Sequence, residues 1–357
     1  PLLPLPVFSH PPLLLVNVFA RYCFSFLDPF RVDFRMDCGH VCNNLYNASG
    51  SALATAADNT SSTWVPADCS EWASHDLDLS AYDGEVILLR FVNINGYGQH
   101  LYFDNVNVSG TAGASVSVRM YLDGCYNTTE HRMDDQLRTN SLLPATEPYS
   151  VLGFTLTGGG GETAGSGLLA ATGDDAIVDW VIVELRSSGT PGQIVEAHCA
   201  LLQRDGDVVA ADGGSALHFA APVGDYYIAV RHRNHLGCMS ATTRTLSATP
   251  TLVDFSLSST ATYGTDARRT RDGKLLLWSG NVVRDGALRY TGTGNDRDPI
   301  LTTIGQSVPS ATTTGYEPSD VNLDGVVKYT GSNNDRDAIL QSIGGATPTD
   351  ARTEQLP

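Results

Sequence analysis

The stretch from Asp320 to Gly344 reads DVNLDGVVKYTGSNNDRDAILQSIG. Its first residues carry side-chain oxygens at alternate positions, Asp320, Asn322 and Asp324, and Gly325 follows at once. Alternating oxygens followed by a glycine are typical of a loop that curls around a hard cation, because such a cation takes several oxygen ligands at once. The stretch therefore predicts a metal-binding loop.

The pattern matches the beginning of an EF-hand-type calcium loop, in which Val326 offers its backbone carbonyl as the seventh-position ligand. The twelfth position of such a loop carries a bidentate carboxylate, but here it is Gly331. The acids come later, at Asp335 and Asp337, so YTGSNN is an insertion before the closing acid. The alternative is an Asp-rich turn held by side-chain to backbone hydrogen bonds. We expect the ligands of a Ca²⁺ ion to be Asp320, Asn322, Asp324, Val326, Asp335 and Asp337.

A second copy of this stretch lies 39 residues earlier, where Asn281–Gly305 reads NVVRDGALRYTGTGNDRDPILTTIG. Fourteen of the 25 aligned positions are identical, which predicts that both copies share one local structure. The first copy has Asn281 and Val283 where the second has Asp320 and Asn322, so we expect weak calcium binding there, or none. Its remaining candidate ligands are Asp285, Asp296 and Asp298.

These paired repeats resemble the dockerin repeats of secreted enzymes, on the residues Asp320, Asn322, Asp324, Gly325, Asp335 and Asp337. They are more similar to a variant with the ending NDRDPIL or NDRDAIL, which occurs at the C-termini of large secreted proteins of Bacteroidota. The resemblance covers Trp278–Pro357 and implies a small calcium-binding module in an extracellular protein. The insertion departs from the ordinary dockerin pattern, so the last ligand and a cohesin partner do not follow from it.

The length, sequence periodicity and net charge of the chain restrict its fold class and its possible partners. The chain has 357 residues, enough for two or three domains with separate cores. Long segments with a 3.6-residue period are absent, which predicts an all-β protein. The formal net charge of −17 disfavours nucleic acid and anionic membranes as partners, because both would repel the chain. That charge suits a soluble extracellular protein that gathers divalent cations.

The seven cysteines leave at least one thiol unpaired within a single chain. Cys38 and Cys42 flank His40, but no second pair at zinc-ribbon spacing follows. A disulfide between two of Cys38, Cys42 and Cys69 is expected instead, with the pairing open. Three further cysteines stand among apolar residues and are predicted to be buried: Cys125, Cys199 and Cys238.

The first thirty residues are strongly apolar, but five prolines precede Leu13. They lack the basic start and cleavage site of a signal peptide, and their longest apolar run is too short to span a bilayer as a helix. The alternation from Leu13 to Phe26 predicts strands that pack in the core of this domain or against another subunit.

The region from Asp33 to Gly110 resembles the jelly-roll domain of cleaved adhesins and meprin-like modules, on DLDLSAYDGEVILLRF and LYFDNVNV. This resemblance implies a jelly-roll β-sandwich over residues 1–110. It also implies Asp104 as a ligand of a structural calcium, with an ordinary strand terminus as the alternative.

Residues 111–114 are small and predict a linker, and residues 114–257 read as a second all-β domain. The segment Gly224–Ile228 resembles the late strand of an immunoglobulin-like sandwich. Asp174–Arg186 alternates, which predicts a strand with one face toward the core and one toward water. Residues 258–357 then form the repeat module.

The most reactive side chains of this second domain are His232, Arg233 and His235 in RHRNHLG. Two histidines three residues apart can bind a metal as neutral imidazoles. No acid or cysteine stands beside them in the sequence, so we expect these side chains to bond the carbonyls of a turn instead.

Catalytic motifs are missing. The chain has no G-x-S-x-G elbow, no H-E-x-x-H helix and no G-x-x-x-x-G-K phosphate loop. Gly158–Gly161 is followed by no helical pattern and is interpreted as a loose loop. The sequence therefore predicts no enzyme.

These observations lead to one hypothesis and two alternatives. The hypothesis is a non-enzymatic, calcium-binding adhesion or structural protein, secreted or at the cell surface, whose aromatic residues Trp64, Trp72 and Tyr97 could stack on a glycan. The first alternative is the subunit of a self-assembling extracellular filament, to which the apolar N-terminal segment adds a strand. The second is the C-terminal accessory region of a secreted hydrolase.

Overall fold

The computed structural model describes residues 2–4, 8–20, 29–36, 43–55, 68, 70, 72–79, 87–94 and 101–357. Strands make up 42% of the protein and helices 10%, so the predicted all-β class is confirmed. No helix in the described part of the chain is long and apolar enough to cross a membrane. The chain divides into two compact units, one of residues 1–114 with 218–223 and the other of 115–217 with 224–357.

Unit 1 has the character of a β-sandwich. Its strands are β1 (Leu2–Pro4), β2 (Phe8–Ala20), β3 (Phe30–Met36), β4 (Asn43–Ala48), β5 (Ala73–Asp78), β6 (Ile87–Asn93), the first part of β7 (Leu101–Arg119) and β13 (Leu217–Pro222). One antiparallel sheet has the order β1-β6-β3-β4. In the other, β2 lies between β5 and β7, and β13 also pairs with β7. A short 3-10 helix covers Gly50–Ala52.

The apolar N-terminal segment supplies two of these strands. Leu3 lies opposite Leu89 of β6, and β2 pairs with β5 and β7 of the same chain. The prediction of strands within this domain is confirmed for the described residues. The core contains Phe30, Val32, Phe34, Leu53, Leu79 and Leu89. Each such side chain contributes roughly 1.5–3 kcal/mol by leaving water.

The predicted linker is wrong: residues 111–114 lie inside β7. Thr111 and Ala112 pair with His10 and Phe8 of β2, so this part of the backbone lies in a ladder rather than a loop. The change from one compact unit to the other nevertheless falls here, after Ala114.

Unit 2 contains the rest of β7 and a larger set of elements. They are β8 (Tyr126–Asn127), β9 (Arg132–Met133), α1 (Gln136–Thr139), β10 (Ile177–Ser187), β11 (Ile194–Gln203), β12 (Asp207–Val209), β14 (Gly224–His232), β15 (His235–Met239), β16 (Arg244–Leu246), β17 (Thr251–Asp254), β18 (Arg268–Arg271), β19 (Lys274–Leu277), β20 (Ala287–Arg289), α2 (Arg297–Thr303), β21 (Thr312–Thr314), β22 (Val326–Lys328), α3 (Asp335–Ser342) and β23 (Ala351–Thr353). Its sheet runs β15-β14-β10-β11-β12-β7, with β16 on β14 and β17 parallel to β7. Two 3-10 helices cover Leu168–Ala170 and Gly173–Asp175.

Strand β10 is buried on both faces from Ile177 to Arg186, whereas its alternation predicted one face in water. Its acids are paired with arginines, of which Arg186 lies in the same strand while Arg231 and Arg233 are distant in the chain. Glu184 accepts a hydrogen bond of 2.7 Å from Arg186 Nε and lies 3.6 Å from Arg231 Nη1. The two arginines offset part of the cost of burying this acid, and Glu184 Oε1 accepts no hydrogen bond among the described residues.

The two repeats exchange strands symmetrically. β20, in the loop of the first repeat, pairs with β23, which follows the helix of the second repeat. In the same way β22, in the loop of the second repeat, pairs with β21, which follows the helix of the first. The register is the same in both ladders: Arg289 lies opposite Ala351, and Lys328 lies opposite Thr312. The two copies therefore share one local structure, as their sequence identity predicts.

Equivalent residues of the two repeats also build a common core. It contains Val282 and Val321, Ile300 and Ile339, together with Ile304 and Val327. The repeats lie in the same compact unit as residues 115–217 and 224–257.

Candidate functional site

The loop of the second repeat turns its oxygens toward its own backbone. Asp320 accepts hydrogen bonds from the N–H groups of Asp324 and Gly325, at 3.2 and 2.9 Å. Asn322 Oδ1 accepts from Asp324 N–H at 3.0 Å, and Asp324 Oδ1 accepts from Val326 N–H at 2.8 Å. The tight curl places Gly325 at a φ of +84°, which favours glycine. These contacts match an Asp-rich turn, and they also hold the oxygens of positions one, three and five in one short loop.

Asp335 fastens this loop to the helix that follows. Its carboxylate is fully buried and accepts from Val321 N–H at 2.6 Å and Lys328 N–H at 2.8 Å. Burial, together with the nearby Asp320 carboxylate, raises the pKa of Asp335 to about 7. Burial raises the pKa of Asp320 to about 6. Two buried acids therefore disfavour each other's charge, and a divalent cation would relieve that cost.

The remaining acid, Asp337, belongs to the helix cap. Asn334 Oδ1 accepts from Asp337 N–H at 2.9 Å, and Asn334 Nδ2 donates to Asp337 Oδ2 at 2.8 Å. The first bond satisfies one backbone amide at the N-terminus of the helix, and the second fixes the two side chains to each other. In the first repeat Asn295 and Asp298 make the same two bonds, and the hydrogen bond from Asn295 lowers the pKa of Asp298.

The first loop repeats this arrangement with fewer oxygens. Asp296 is buried and accepts from the N–H groups of Val283 and Arg289, each at 2.9 Å, and burial raises its pKa to about 6. Asp285 pairs with the guanidinium of Arg289 at 2.6 Å. The equivalent pair in the second loop is looser, with Lys328 Nζ 3.5 Å from Asp324 Oδ2. Asn281 Oδ1, at the position of Asp320, is buried and meets no donor among the described residues.

The second loop thus presents more side-chain oxygens than the first. It offers Asp320, Asn322 and Asp324, and the carbonyl of Val326 follows in β22. The structure does not bring every candidate acid together. Among the described residues, the carboxylates of Asp320, Asp324 and Asp335 do not form a group whose donor atoms all lie within 4.8 Å of one another.

A buried turn holds the second loop in place. Arg233 and Asn234 connect β14 to β15, and both are fully buried. Asn234 Nδ2 donates to the carbonyls of Pro318, at 3.0 Å, and Asp320, at 2.7 Å, while Arg233 Nη1 donates to the carbonyl of Glu317. The expectation that this cluster bonds turn carbonyls is confirmed for Arg233 and wrong for His232 and His235, which bond Asp179, each other and the N–H group of Gly124.

Asp179 of β10 lies at the centre of the same network. It accepts from Arg233 Nε and His232 Nε2, both at 3.1 Å, and from the hydroxyl of Tyr316 at 2.6 Å. Burial opposes ionisation, yet Arg233 and His232 hold the pKa of Asp179 below its usual value. Arg233 also stacks on the ring of Tyr316, 4.1 Å from its centroid.

Both histidines of the network are neutral. His232 Nε2 donates to Asp179, so its Nδ1 accepts from His235 Nδ1 at 2.9 Å. His235 Nε2 then accepts from Gly124 N–H at 3.2 Å and carries no proton. Burial lowers the pKa of both imidazoles.

A third group of side chains was missed by the sequence reasoning. The donor atoms of Glu147, Glu162 and Cys199 all lie within 4.8 Å of one another. Cys199 is buried, as predicted, but its acidic partners are distant in sequence. Glu147 precedes and Glu162 follows the glycine tract Gly158–Gly161, which the sequence pattern indicated to be a loose loop. No local pattern therefore predicted that these two acids would contact Cys199.

Several sequence-based candidates lie outside the described residues. Asp104 is in β7, but its side chain is not described. The same holds for the predicted disulfide and for two of the candidate sugar-stacking aromatics, whose positions are Cys38, Cys42, Cys69, Trp64 and Tyr97.

Replacing Arg233 by Met should destabilise unit 2 strongly, because it leaves the Asp179 carboxylate buried without its cation. We expect a loss of about 3–5 kcal/mol, measured by urea unfolding. The double variant with Asp179→Asn should recover part of that loss. Arg231→Met, in the preceding strand β14, is the matched control and should cost under about 1 kcal/mol, since this arginine is partly exposed. Equal costs for the two arginines would contradict the role assigned to Arg233.

Acidification should destabilise the protein through His235. Its folded pKa lies below the unfolded value, so its contribution is present above about pH 6.5 and is lost as the pH falls. The free energy of unfolding of the wild type, compared with His235→Gln, should fall by about 1.4 kcal/mol for each pH unit below 6. Urea unfolding at pH 8, 7, 6 and 5 measures it. A pH-independent difference would mean that His235 binds its proton equally well in the folded and the unfolded chain, and would contradict this prediction.

Comparison of the chain with protein-family models, with curated proteins and with solved structures returned no match. The resemblance to dockerins and adhesins therefore depends on the sequence motifs alone. What the protein does has to be argued from the loops, the buried turn and the side-chain groups described above.

Proposed function

We propose that this chain is a non-enzymatic, calcium-stabilised protein of the cell surface or extracellular space, with an adhesive or structural role. In this proposal unit 1 is a jelly-roll module, the sheet of unit 2 is an immunoglobulin-like sandwich, and the repeats are EF-hand-type loops. The observation that carries it is the hydrogen bond of 2.7 Å from Asn234 Nδ2 to the carbonyl of Asp320. The first oxygen residue of the calcium loop is thereby attached to the buried turn of the sandwich.

Electrostatics supports calcium in the second loop. Asp320 and Asp335 are both buried, and their raised pKa values show that the folded chain resists two negative charges there. A cation bound by Asp320, Asn322, Asp324 and the carbonyl of Val326 would neutralise them. Binding energy at the loop then becomes folding energy of unit 2.

The pairing of β2 supports an adhesive module over a filament subunit. This strand lies between β5 and β7 of its own chain, so the segment that might have been donated to a neighbour is already in a sheet. The acidic chain, with a net charge of −17, suits binding to uncharged glycans or basic surfaces.

Calcium should raise the melting temperature of the wild-type protein above its value in chelator. At a concentration one hundred times the Kd the gain is about 2.7 kcal/mol, measured by calorimetry. Asp320→Asn copies the first repeat and should lower calcium affinity at least about tenfold, because it removes a charged ligand. Asp298→Asn, in the cap of the first repeat, is the matched control and should leave affinity unchanged. Identical melting curves with calcium and with chelator would refute the proposal.

Lys328 competes with calcium for Asp324, so its removal should strengthen binding. The ammonium is 3.5 Å from Asp324 Oδ2 and partly exposed, which limits the effect to roughly 0.5–1.5 kcal/mol. We expect Lys328→Met to raise calcium affinity about two- to tenfold in titration calorimetry. Arg289→Met, the equivalent change in the first repeat, should not alter the affinity of the second loop. Weaker binding by Lys328→Met would show that the lysine supports the loop instead.

A further inference from the structure

The carboxylates of Glu147 and Glu162 meet the thiol of Cys199 at the surface of strand β11. The segments that carry the two acids pair with each other, since Glu147 N–H donates to Glu162 C=O at 2.9 Å. Cys199 lies within β11, and Thr157 C=O accepts from Ala197 N–H of the same strand at 2.8 Å. Three chain segments therefore bring sulfur and oxygen donors to one place.

Backbone amides fix both carboxylates. Glu147 accepts from the N–H groups of Tyr149 at 2.6 Å, Ser150 at 3.1 Å and Gly161 at 3.0 Å. Glu162 Oε1 accepts from Cys199 N–H at 3.1 Å. Its Oε2 accepts only from Gly160 N–H, at 3.1 Å, among the described residues and keeps room for another partner. Donors held in this way lose little freedom when a ligand arrives.

The glycine tract allows its loop to approach strand β11 closely. A Cβ on Gly159 would lie 2.2 Å from the carbonyl oxygen of Ala197, so only glycine fits against β11 at this point. The tract Gly158–Gly161 is therefore a close-fitting wall of the cluster.

One pair of donors has the separation expected in a zinc site, and the donor atoms of all three side chains lie within 4.8 Å of one another. Cys199 Sγ lies 3.6 Å from Glu147 Oε2. A tetrahedral ion with Zn–S of about 2.3 Å and Zn–O of about 2.1 Å separates sulfur from oxygen by about 3.5 Å. Cys199 and Glu147 are 2% and 3% exposed, while the side chain of Glu162 is 17% exposed, which leaves an entry path.

We propose that Glu147, Glu162 and Cys199 bind one divalent transition metal of the zinc class. The metal displaces the thiol proton to solvent, and Cys199 binds it as a thiolate beside the two carboxylates. Three protein ligands leave the fourth tetrahedral position open to water. The bound ion fastens the loop around the glycine tract to strand β11.

His198 supports the site from outside the ligand set. Its Nε2 lies 2.7 Å from Glu196 Oε1, and its Nδ1 lies 3.5 Å from Glu162 Oε1. The imidazole thereby orients the Glu162 carboxylate, as outer partners of metal ligands do.

Titration of the full-length protein with Co²⁺ tests the proposal, because a Co²⁺–thiolate bond gives a charge-transfer band in the near ultraviolet. We expect one equivalent to bind with that band, and Zn²⁺ to displace it. Cys199→Ser should abolish the band, while Cys238→Ser, at another buried free thiol, should retain it. Asp320→Asn should also retain it, which separates this site from the calcium loop.

Circular dichroism checks that each variant is folded. If Cys199→Ser does not fold, Glu162→Gln serves instead, since its side chain is partly exposed and it should weaken Co²⁺ binding at least about tenfold. Absence of a thiolate band in the wild type overturns the proposal. So does a band that survives in Cys199→Ser, or one that Glu162→Gln leaves at full affinity.

Discussion

The ion pair between Asp179 and Arg233 is the interaction on which unit 2 depends. Both side chains are completely shielded from water, and Arg233 stands in a turn, a position that usually lies at the surface. Charges in such a place are tolerated only when every partner is present. The partners come from strand β10, from the β14–β15 hairpin and from the start of the second repeat loop. Sheet and repeats are therefore expected to fold as one cooperative unit rather than as two modules joined by a linker.

The sequence predicted what depends on local pattern. Alternation identified the β class, and the 39-residue offset identified two copies with one structure. It could not predict what depends on distant partners. The alternation of β10 predicted that one face of the strand is exposed to water. Nothing near Asp179 in the sequence shows that Arg233 and Tyr316 will pack on that face and bond its carboxylate. The group around Cys199 was not predicted for the same reason, since the two acids that Cys199 meets, Glu162 and Glu147, are 37 and 52 residues away in the chain.

The acids of the repeats illustrate how neighbours decide what a carboxylate does. Asp296 and Asp335 bind backbone amides, and Asp298 and Asp337 close helix caps. Asp285 takes a guanidinium as its partner. In the sequence, a motif of alternating acids looks like a single set of metal ligands. In the structure, most of these acids are already engaged in hydrogen bonds or ion pairs within the protein. Asp320 is the acid that distinguishes the second loop from the first, where Asn281 stands.

Two clusters in unit 2 hold carboxylates by the same means, a tight loop whose amides point inward, yet they suit different cations. The second repeat loop offers oxygen alone, from side chains and from a carbonyl, and oxygen is what hard Ca²⁺ takes. The cluster under the glycine tract adds the sulfur of Cys199, which Ca²⁺ does not favour and zinc does. In these two proposals, one donor atom, the sulfur of Cys199, decides which class of cation each cluster would prefer. Because the loop and the cluster share no ligand residue, occupation of one need not exclude occupation of the other.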